Sequence, residues 1–443
     1  MKKDKFNSKL RDLARTLSPT QKERGMISQI YQSINDCLGE ENTIQIGSYP
    51  RYTAITPVHD LDILYVLGKW GESDPRATEA LNKLHALINQ QYKMPNEFDS
   101  VKVGIQTHSV TISFMKNKEE VISVDIVPAY EYGANEFSQP TYKVPEIIKK
   151  KSHRARAQFY VEKQIKREVI NWIDSDPRGY ISCATAVGKN PDFRKAVKIA
   201  KRWKNNLQSE NEDLKLKSFH LEQVITCIFQ ENPRIEIFDA IFKFFVDLPD
   251  TVLVANRIAD RANPDKYIDD YVADISKWHK EMIREARDGF LAKLESVQDG
   301  SSMGTLLAIH FYERGSAEKF MFDFNIPVLT DENNVFSIDG FLKKKAGFRE
   351  YRYPISAGGG VVDRHDLIKF QIVKNNTGAG FYKWKVKNDR SVERAQWRGE
   401  ITDNQTSNDP EKALYDGRHF VEAYAIKDNV CIAKAKQSVI LKS

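Results

Sequence analysis

The sequence predicts an α+β protein in which a mixed helix-and-strand core with a helical lobe precedes an all-β, sandwich-like domain. Within residues 1–300, helix-length apolar stripes alternate with strand-length apolar runs. From Val335 onward, short alternating or β-branched runs are separated by turn sequences such as Asn375-Asn376-Thr377-Gly378. The 443 residues are enough for two or three domains. We expect domains at 1–300 and 335–443, joined by a connecting region at 301–334.

Composition excludes several classes of protein. No apolar run approaches the roughly eighteen residues of a membrane span, and the charged amino terminus lacks a signal peptide, so we expect a cytoplasmic protein with no membrane partner. The four cysteines lie far apart without a C-x-x-C pair, which favours reduced thiols and no zinc site. A net charge of +6 suits a phosphate-handling surface, but it leaves nucleic-acid binding an open question. The basic segment 149–156 fits either a solvated face or a nucleotide-facing surface, and we assign it no role.

The stretch at residues 45–67 contains two aspartates at the head of a predicted strand. The segment from Leu61 to Leu67 is apolar enough for a strand. Because side chains alternate between the two faces of a strand, Asp60 and Asp62 lie on one face and Leu61 on the other. Two carboxylates held this close repel each other unless a cation or a proton lies between them. Oxygen ligands of this kind suit Mg²⁺, which completes its coordination shell with water and substrate phosphates.

Two further features accompany this pair. Gly47 lets the backbone approach a ligand closely, and Ser48 can offer a hydroxyl and an N–H to a phosphate. The β-branched run from Val121 to Val127 predicts another strand, with Asp125 in its middle and Pro128 at its end. A lone acid within an apolar strand is costly to bury, which favours a functional explanation. The alternative is a purely structural cluster of acids.

The other elements of residues 1–300 follow from apolar spacing and from the positions of proline. We expect two helices in residues 1–39 with a break at Ser18-Pro19, because proline cannot continue a helix. In chain order, the further elements are strand 43–46, helix 76–91, strand 102–114, and helices 191–205, 235–248 and 264–297. Strands of the carboxy-terminal domain are expected at 366–373, 382–387, 417–426 and 431–441.

The motif G-S-Y-x-R-x-T, followed by D-L-D and then by a strand with a single Asp, resembles the polymerase-β-like nucleotidyltransferases. Within them, the sequence is most similar to the bacterial cGAS/DncV-like enzymes. The resemblance implies that Gly47 and Ser48 bind the donor triphosphate, and that Asp60, Asp62 and Asp125 hold two Mg²⁺ ions, for which Mn²⁺ can substitute. These residues are the catalytic and metal-binding candidates.

Two more candidates come from the same resemblance. The segment that starts at Arg194 matches the family's R-x-x-V-x-x-x-K-x-W helix, which implies that Lys201 reaches the donor phosphates. The segment that starts at Ser218 matches the S-x-x-x-E element, which implies that Ser218 contacts the triphosphate. We interpret Glu222 as a structural residue that caps or pairs locally. The competing interpretation of Lys201 is an ordinary surface lysine.

The carboxy-terminal region resembles a second family. The segments W-K-V-K-N, R-G-E-I, Y-D-G-R-H-F-V-E-A-Y and C-I-A-K are similar to the adenylyl/guanylyl and SMODS C-terminal sensor domain, which is proposed to sense nucleotides. Candidate contacts are Trp384, Arg398, His419 and Glu422. Trp384 also fits a core aromatic residue, and Arg398 also fits a structural ion pair.

Together the two resemblances imply a function. The expected protein makes cyclic or short linear oligonucleotide second messengers from nucleoside triphosphates in bacterial anti-phage defence of the CBASS type, and its product acts on a separately encoded effector. Two alternatives stay open: a nucleotidyltransferase that modifies RNA or protein, and a non-catalytic nucleotide-binding module. Base preference and linkage depend on residues outside the motifs.

Overall fold

The computed structural model describes residues 3–71, 76–146, 172–297, 301–343, 352–403 and 409–441. The basic segment 149–156 lies outside these residues, as does residue 300, the predicted end of the first domain. Within the described ranges, helices account for most of the first 300 residues apart from one mixed sheet, and the carboxy-terminal part is built of strands. The predicted fold class, α+β followed by an all-β domain, is confirmed. The exact domain limits stay a prediction.

A seven-stranded sheet forms the core that carries the predicted acids. The strands are β1 Thr43–Ile46, β2 Asp60–Lys69, β3 Ser100–Ile105, β4 Val110–Lys116, β5 Glu119–Ala134, β6 Pro140–Pro145 and β7 Trp172–Ser175. Their central order is β1-β2-β5-β4-β3, with β6 paired to β5 and β7 paired to β6. The β2–β5 pair is parallel, and the neighbouring pairs are antiparallel.

Helices α2 (Gln21–Leu38) and α3 (Ala77–Gln91) pack their apolar stripes on this sheet. Thr20 and Glu23 form a capping box at the start of α2, which satisfies two backbone N–H groups there. The helical lobe has a separate core, which Trp203 and Phe245 help to fill. Its helices are α1 Lys3–Thr16, α4 Pro177–Val187, α5 Phe193–Glu210, α6 Ser218–Glu231, α7 Ile237–Thr251 and α8 Lys277–Ser296.

Three predicted boundaries of strands and helices within residues 1–300 were wrong, two of them in the sheet and one in the helical lobe. The strand expected at 102–114 is a hairpin of β3 and β4, since Gln106 to Ser109 make a turn closed by a hydrogen bond from the Gln106 N–H to the Ser109 carbonyl. Pro128 does not end β5. It lies between Ile126, where pairing with β4 stops, and Tyr130, where pairing with β6 starts, so its missing N–H costs the sheet little.

The helix expected at 264–297 begins only at Lys277. Buried Asp269 accepts hydrogen bonds from the backbone N–H groups of Asn256 and Ile258, which holds the preceding segment in a loop. Ser276 then caps α8 by accepting from the N–H of His279. Tyr267 and Tyr271 are half-buried in this segment, and Tyr271 lies in a short 3-10 helix, Asp270–Asp274, so their spacing does not reflect an α-helix.

Two packed sheets form the carboxy-terminal domain, as the sequence predicts. Five strands run in the order β10-β16-β15-β12-β13 and four in the order β14-β11-β8-β9. Trp384 and Val421 of the first sheet share a core with Ile338 and Phe370 of the second. The strands are β8 Phe336–Leu342, β9 Tyr353–Pro354, β10 Val361–Val362, β11 Leu367–Asn375, β12 Phe381–Lys387, β13 Arg398–Thr402, β14 Glu411–Lys412, β15 Gly417–Lys427 and β16 Val430–Leu441.

A buried ion cluster anchors the connecting region to the five-stranded sheet. Glu318 accepts from the ammonium groups of Lys385, at 3.3 Å, and Lys387. All three side chains are buried. On the other side, Arg314 pairs with Asp288 of α8. The connecting region is thus bonded both to the helical lobe and to the sheet.

Two further expectations concern the cysteines and membrane-spanning segments. The four cysteines form no disulfide, in agreement with reduced thiols. In the described part of the chain, no helix combines the length and the apolar character that crossing a membrane requires.

Candidate active site

The parallel pairing of β2 and β5 brings the three predicted acids to one place. Asp62 is the register partner of Asp125, and Asp60 is the partner of Ser123, whose hydroxyl donates to Asp60 Oδ1 at 3.0 Å. Leu61, between the two acids of β2, points into the core and is 1% exposed. Burial and the neighbouring charges of Asp125 and Asp60 raise the pKa of Asp62 to about 6. The cluster therefore favours binding of a cation or a proton.

Two hydroxyl groups of the β3–β4 hairpin hold Asp125. Ser109, in the turn, donates to Asp125 Oδ1 at 3.1 Å, and Thr111, at the start of β4, donates to the same oxygen. The turn that breaks the expected single strand is what brings Ser109 to this position. Because both hydroxyls bind Oδ1, the carboxylate is fixed with Oδ2 as the oxygen left for a ligand.

Gly47 follows β1 and has a conformation that glycine alone adopts without strain. Its φ is +77°, and a Cβ atom at this position would overlap Asp62 Oδ2. Any side chain at residue 47 would therefore displace one of the central acids. The sequence predicts that this glycine allows close approach to a ligand, and the structure adds close approach to Asp62.

A buried ion network joins the segment after Gly47 to the helical lobe. Glu222 of α6 accepts from Arg51 Nε at 2.6 Å and from the Thr53 hydroxyl at 3.0 Å, and it lies 2.7 Å from Lys201 Nζ of α5. Although burial opposes the charge, Lys201 and Arg51 lower the pKa of Glu222 to about 2. The expectation that Glu222 pairs locally was wrong, since Arg51 is 171 residues away in the chain.

Other contacts fix the rest of the segment between Gly47 and Asp60. The carboxylate of Glu23, in the capping box of α2, accepts from the Thr56 hydroxyl and from the Val58 N–H at 3.0 Å. Arg202 of α5 donates to the Thr56 carbonyl. Together with Glu222 of α6, these contacts hold the segment from three helices, α2, α5 and α6, before the chain enters β2 at Asp60.

A cavity of about 560 Å³ lies between the sheet and the helical lobe, and all seven predicted site residues line it: Gly47, Ser48, Asp60, Asp62, Asp125, Lys201 and Ser218. Several other residues line the cavity without a role predicted from the sequence, among them Arg51, Thr53, His59, Lys204, Asn205 and Phe219. Arg51 and Thr53 are part of the G-S-Y-x-R-x-T motif, so a signal for them was present. Lys204 and Asn205 had no signal beyond their spacing from Lys201.

The donor atoms around the three acids are the kind that Mg²⁺ binds. They are carboxylate oxygens with a mutual repulsion that a divalent cation would relieve. Among the described residues, no group of three or more His, Cys, Asp or Glu side chains is close enough to hold a metal ion by itself. This arrangement fits a metal whose remaining ligands are water and substrate oxygens.

The four candidate contacts of the carboxy-terminal domain are not brought together. Arg398 and His419 line a second cavity, of about 420 Å³, between the two sheets. Trp384 is 1% exposed in the core. Glu422 is bonded to the Tyr424 hydroxyl at 2.8 Å and to Lys434 at 3.1 Å. Arg398 pairs with Glu400 and Glu411, which agrees with its structural interpretation.

Two family models match the chain. Residues 5–160 match the Second Messenger Oligonucleotide or Dinucleotide Synthetase domain, abbreviated SMODS. Residues 316–442 match the Adenylyl/Guanylyl and SMODS C-terminal sensor domain. The first match includes the Gly47 segment and all three acids, and the second includes both sheets of the carboxy-terminal domain. None of the curated proteins matches this sequence.

Several solved structures are distantly similar. The CdnC:HORMA-deltaN complex of E. coli MS115-1 is 15% identical over 69% of this chain and 93% of that chain, with a TM-score of 0.47. CdnG of Bradyrhizobium diazoefficiens in complex with GTP is 11% identical over 65% and 92%, with a TM-score of 0.43. The cyclic dinucleotide synthase CdnE of Elizabethkingia meningoseptica, with GTP and Apcpp, is 16% identical over 55% and 83%, with a TM-score of 0.39.

Proposed function

We propose that this chain, a cGAS/DncV-like nucleotidyltransferase with an adenylyl/guanylyl and SMODS C-terminal sensor domain, joins nucleoside triphosphates into oligonucleotide second messengers. The products are cyclic or short linear oligonucleotides, and the reaction depends on Mg²⁺. The observation that carries the proposal is the juxtaposition of three carboxylates on paired parallel strands with the Gly47 segment and the cations of the helical lobe, all around one cavity.

In this proposal, Asp60, Asp62 and Asp125 hold the metal ions. Bound there, Mg²⁺ supplies Lewis-acid stabilisation of the charge that develops on the entering and leaving oxygens of nucleotidyl transfer. Asp125, oriented by Ser109 and Thr111, faces the attacking 2′- or 3′-hydroxyl and accepts its proton.

The remaining residues of the cavity bind the donor. Gly47 and Ser48 offer backbone and hydroxyl groups to the phosphates, and Ser218, at the first position of α6, lies at the positive end of a helix dipole. Lys201 adds positive charge next to Thr53 and Glu222. Gly47, Ser48 and Ser218 bind the phosphates of the departing pyrophosphate, and the nearby charge of Lys201 lowers the cost of its negative charge. Phe219 offers an aromatic face to a base in the same cavity.

The family resemblance supports a role in bacterial anti-phage defence of the CBASS type, in the cytoplasm, with a separately encoded effector that responds to the product. The carboxy-terminal domain would sense a nucleotide. Neither role follows from the geometry of the cavity.

The proposal is tested by product analysis. Purified protein is incubated with Mg²⁺ or Mn²⁺ and four radiolabelled ribonucleoside triphosphates, treated with phosphatase and separated by chromatography, beside the Asp60→Ala/Asp62→Ala variant. We expect a phosphatase-resistant product that the variant does not make. Turnover that requires added RNA or protein would favour the first alternative, and nucleotide binding without pyrophosphate release would favour a binding module.

The two hydroxyls that hold Asp125 give a second test. We expect Ser109→Ala/Thr111→Val to lower kcat by about 10- to 100-fold, the usual effect of losing groups that orient a metal ligand. The KM for nucleotide should change little, because neither side chain contacts the donor phosphates in this proposal. Steady-state pyrophosphate release measures both constants.

Two variants serve as controls. Thr111→Ser keeps a hydroxyl at residue 111 and should therefore retain most of the wild-type activity, unlike the double variant. Thr141→Val removes a threonine hydroxyl from β6, outside the cavity, and should leave kcat unchanged. Equal activity of the double variant and the wild type would show that Asp125 does not need these hydroxyls.

A further inference from the structure

Lys204 of α5 is a buried cation in the active-site cavity without an acidic partner. Its side chain lines the cavity and the residue is 9% exposed. Nζ donates to Asn205 Oδ1 at 3.3 Å, and among the residues that the structure describes no carboxylate lies within salt-bridge distance. Burying an ammonium group without a counter-ion is costly, so a lysine in this position needs an explanation.

Lys201 and Lys204 differ in how many partners their ammonium groups have. The two lysines are three residues apart and face the same cavity. Lys201 Nζ contacts Glu222 at 2.7 Å, the Thr53 hydroxyl at 3.1 Å and the Thr53 carbonyl at 3.2 Å, so its three donors are already used. Lys204 has no such set of partners. Of the two cations, Lys204 is the better placed to bind an added anion.

The electrostatics agree with the geometry. Burial, and then the nearby charge of Lys201, lower the pKa of Lys204 to about 8, although the charge of Asp60 acts in the opposite direction from beyond salt-bridge distance. An anion that enters the cavity would remove this penalty. Lys198, six residues earlier on α5, also has its pKa lowered to about 8 by burial. However, its Nζ donates to the Ser18 hydroxyl at 2.8 Å, and its side chain does not line the cavity.

We propose that Lys204, which the family motif does not include, is a triphosphate-binding residue of this enzyme, with its ammonium group contacting the donor phosphates beside Lys201. The inference rests on the proposed function, because it takes a nucleoside triphosphate as the ligand of the cavity. An ammonium group is a compact point charge that recognises phosphate oxygens and does not read a base. The contribution of Lys204 to binding is therefore the same for all four nucleotides.

The test measures affinity for ligands that share the triphosphate. Isothermal titration in the presence of Mg²⁺ uses α,β-methylene analogues of ATP, GTP, CTP and UTP, which resist cleavage at that bond, and inorganic tripolyphosphate. Wild type is compared with Lys204→Met, Lys204→Arg and the matched control Lys198→Met. For every probe that the wild type binds, we expect Lys204→Met to weaken binding by about 10- to 100-fold, the range for a charge-assisted hydrogen bond.

The other variants separate charge from structure. Lys204→Arg keeps the charge and should retain most of the affinity, while Lys198→Met should bind as the wild type does. Because Lys204→Met removes a buried charge, its thermal unfolding without ligand should occur at the wild-type temperature or higher. Lower thermal stability of Lys204→Met would identify a structural role and overturn the proposal.

The remaining outcomes are also decisive. Wild-type affinity in Lys204→Met, or a loss confined to one base, would overturn the inference about Lys204 while leaving the proposed function in place. A wild-type protein that binds none of the five probes would instead contradict the proposed function, and this inference with it.

Discussion

We expect pyrophosphate release to fall below detection in Asp62→Asn and in Asp60→Asn. Each change removes a negative oxygen from the pair that the proposal assigns to the metal ions, and loss of even one preorganised electrostatic group typically costs two to three orders of magnitude in rate. We expect the effect on kcat and not on folding, since the change removes repulsion among the three acids, which adds to burial in raising the pKa of Asp62. Pyrophosphate release with labelled nucleoside triphosphates measures the loss.

A matched control is available on the same domain. Asp99 accepts the Asn117 N–H at the far end of the β3–β4 hairpin and does not line the cavity, so Asp99→Asn should keep wild-type turnover. Unfolding curves of all three variants should show that each one folds. An Asp60→Asn/Asp62→Asn protein that still releases pyrophosphate would refute the assignment of these acids.

The sequence was enough to predict the catalytic strands because their signal is local. Alternation along β2 put Asp60 and Asp62 on one face, and a β-branched run around Asp125 predicted β5. What these patterns could not supply was the register, which makes Asp62 and Asp125 direct partners in a parallel pair. Register depends on the packing of the whole sheet and has no signature within a single strand.

The residues that the sequence analysis missed are those with distant partners. Glu222 was given a local partner because an acid near a helix start commonly caps it, whereas its actual partners come from the Gly47 segment and from α5. Lys204 was unremarkable in a helix rich in lysine, and its burial in the cavity depends on how α5 packs against the sheet. Long-range pairs of this kind leave no trace in local spacing.

The largest expected loss of stability follows from Glu222→Ala. This change leaves Arg51 and Lys201 buried without their shared counter-ion, and breaking a buried ion pair by removing one partner usually costs about 3–5 kcal/mol. Exposure of the two cations is 8% and 5%, so water cannot compensate them without opening the structure. Urea denaturation followed by tryptophan fluorescence measures the change in the free energy of unfolding, since Trp203 lies in the core of the helical lobe.

The control is an exposed ion pair in the same lobe. Lys243 and Asp247 of α7 are 2.7 Å apart with side chains 42% and 33% exposed, so Asp247→Ala should cost less than about 1 kcal/mol. Equal costs for Asp247→Ala and Glu222→Ala would show that the buried network does not hold the Gly47 segment to the helical lobe.

A triple replacement separates the structural part of the network from its part in binding. Methionine at positions 51, 201 and 222 removes all three charges together, and apolar replacement of a complete buried ion cluster is often neutral or stabilising. We therefore expect Arg51→Met/Lys201→Met/Glu222→Met to unfold within about 1 kcal/mol of the wild type. Its turnover should still be lost, because the cavity would lack the positive charge of Lys201 next to the donor phosphates. A triple variant that is both stable and active would mean that the network serves folding alone.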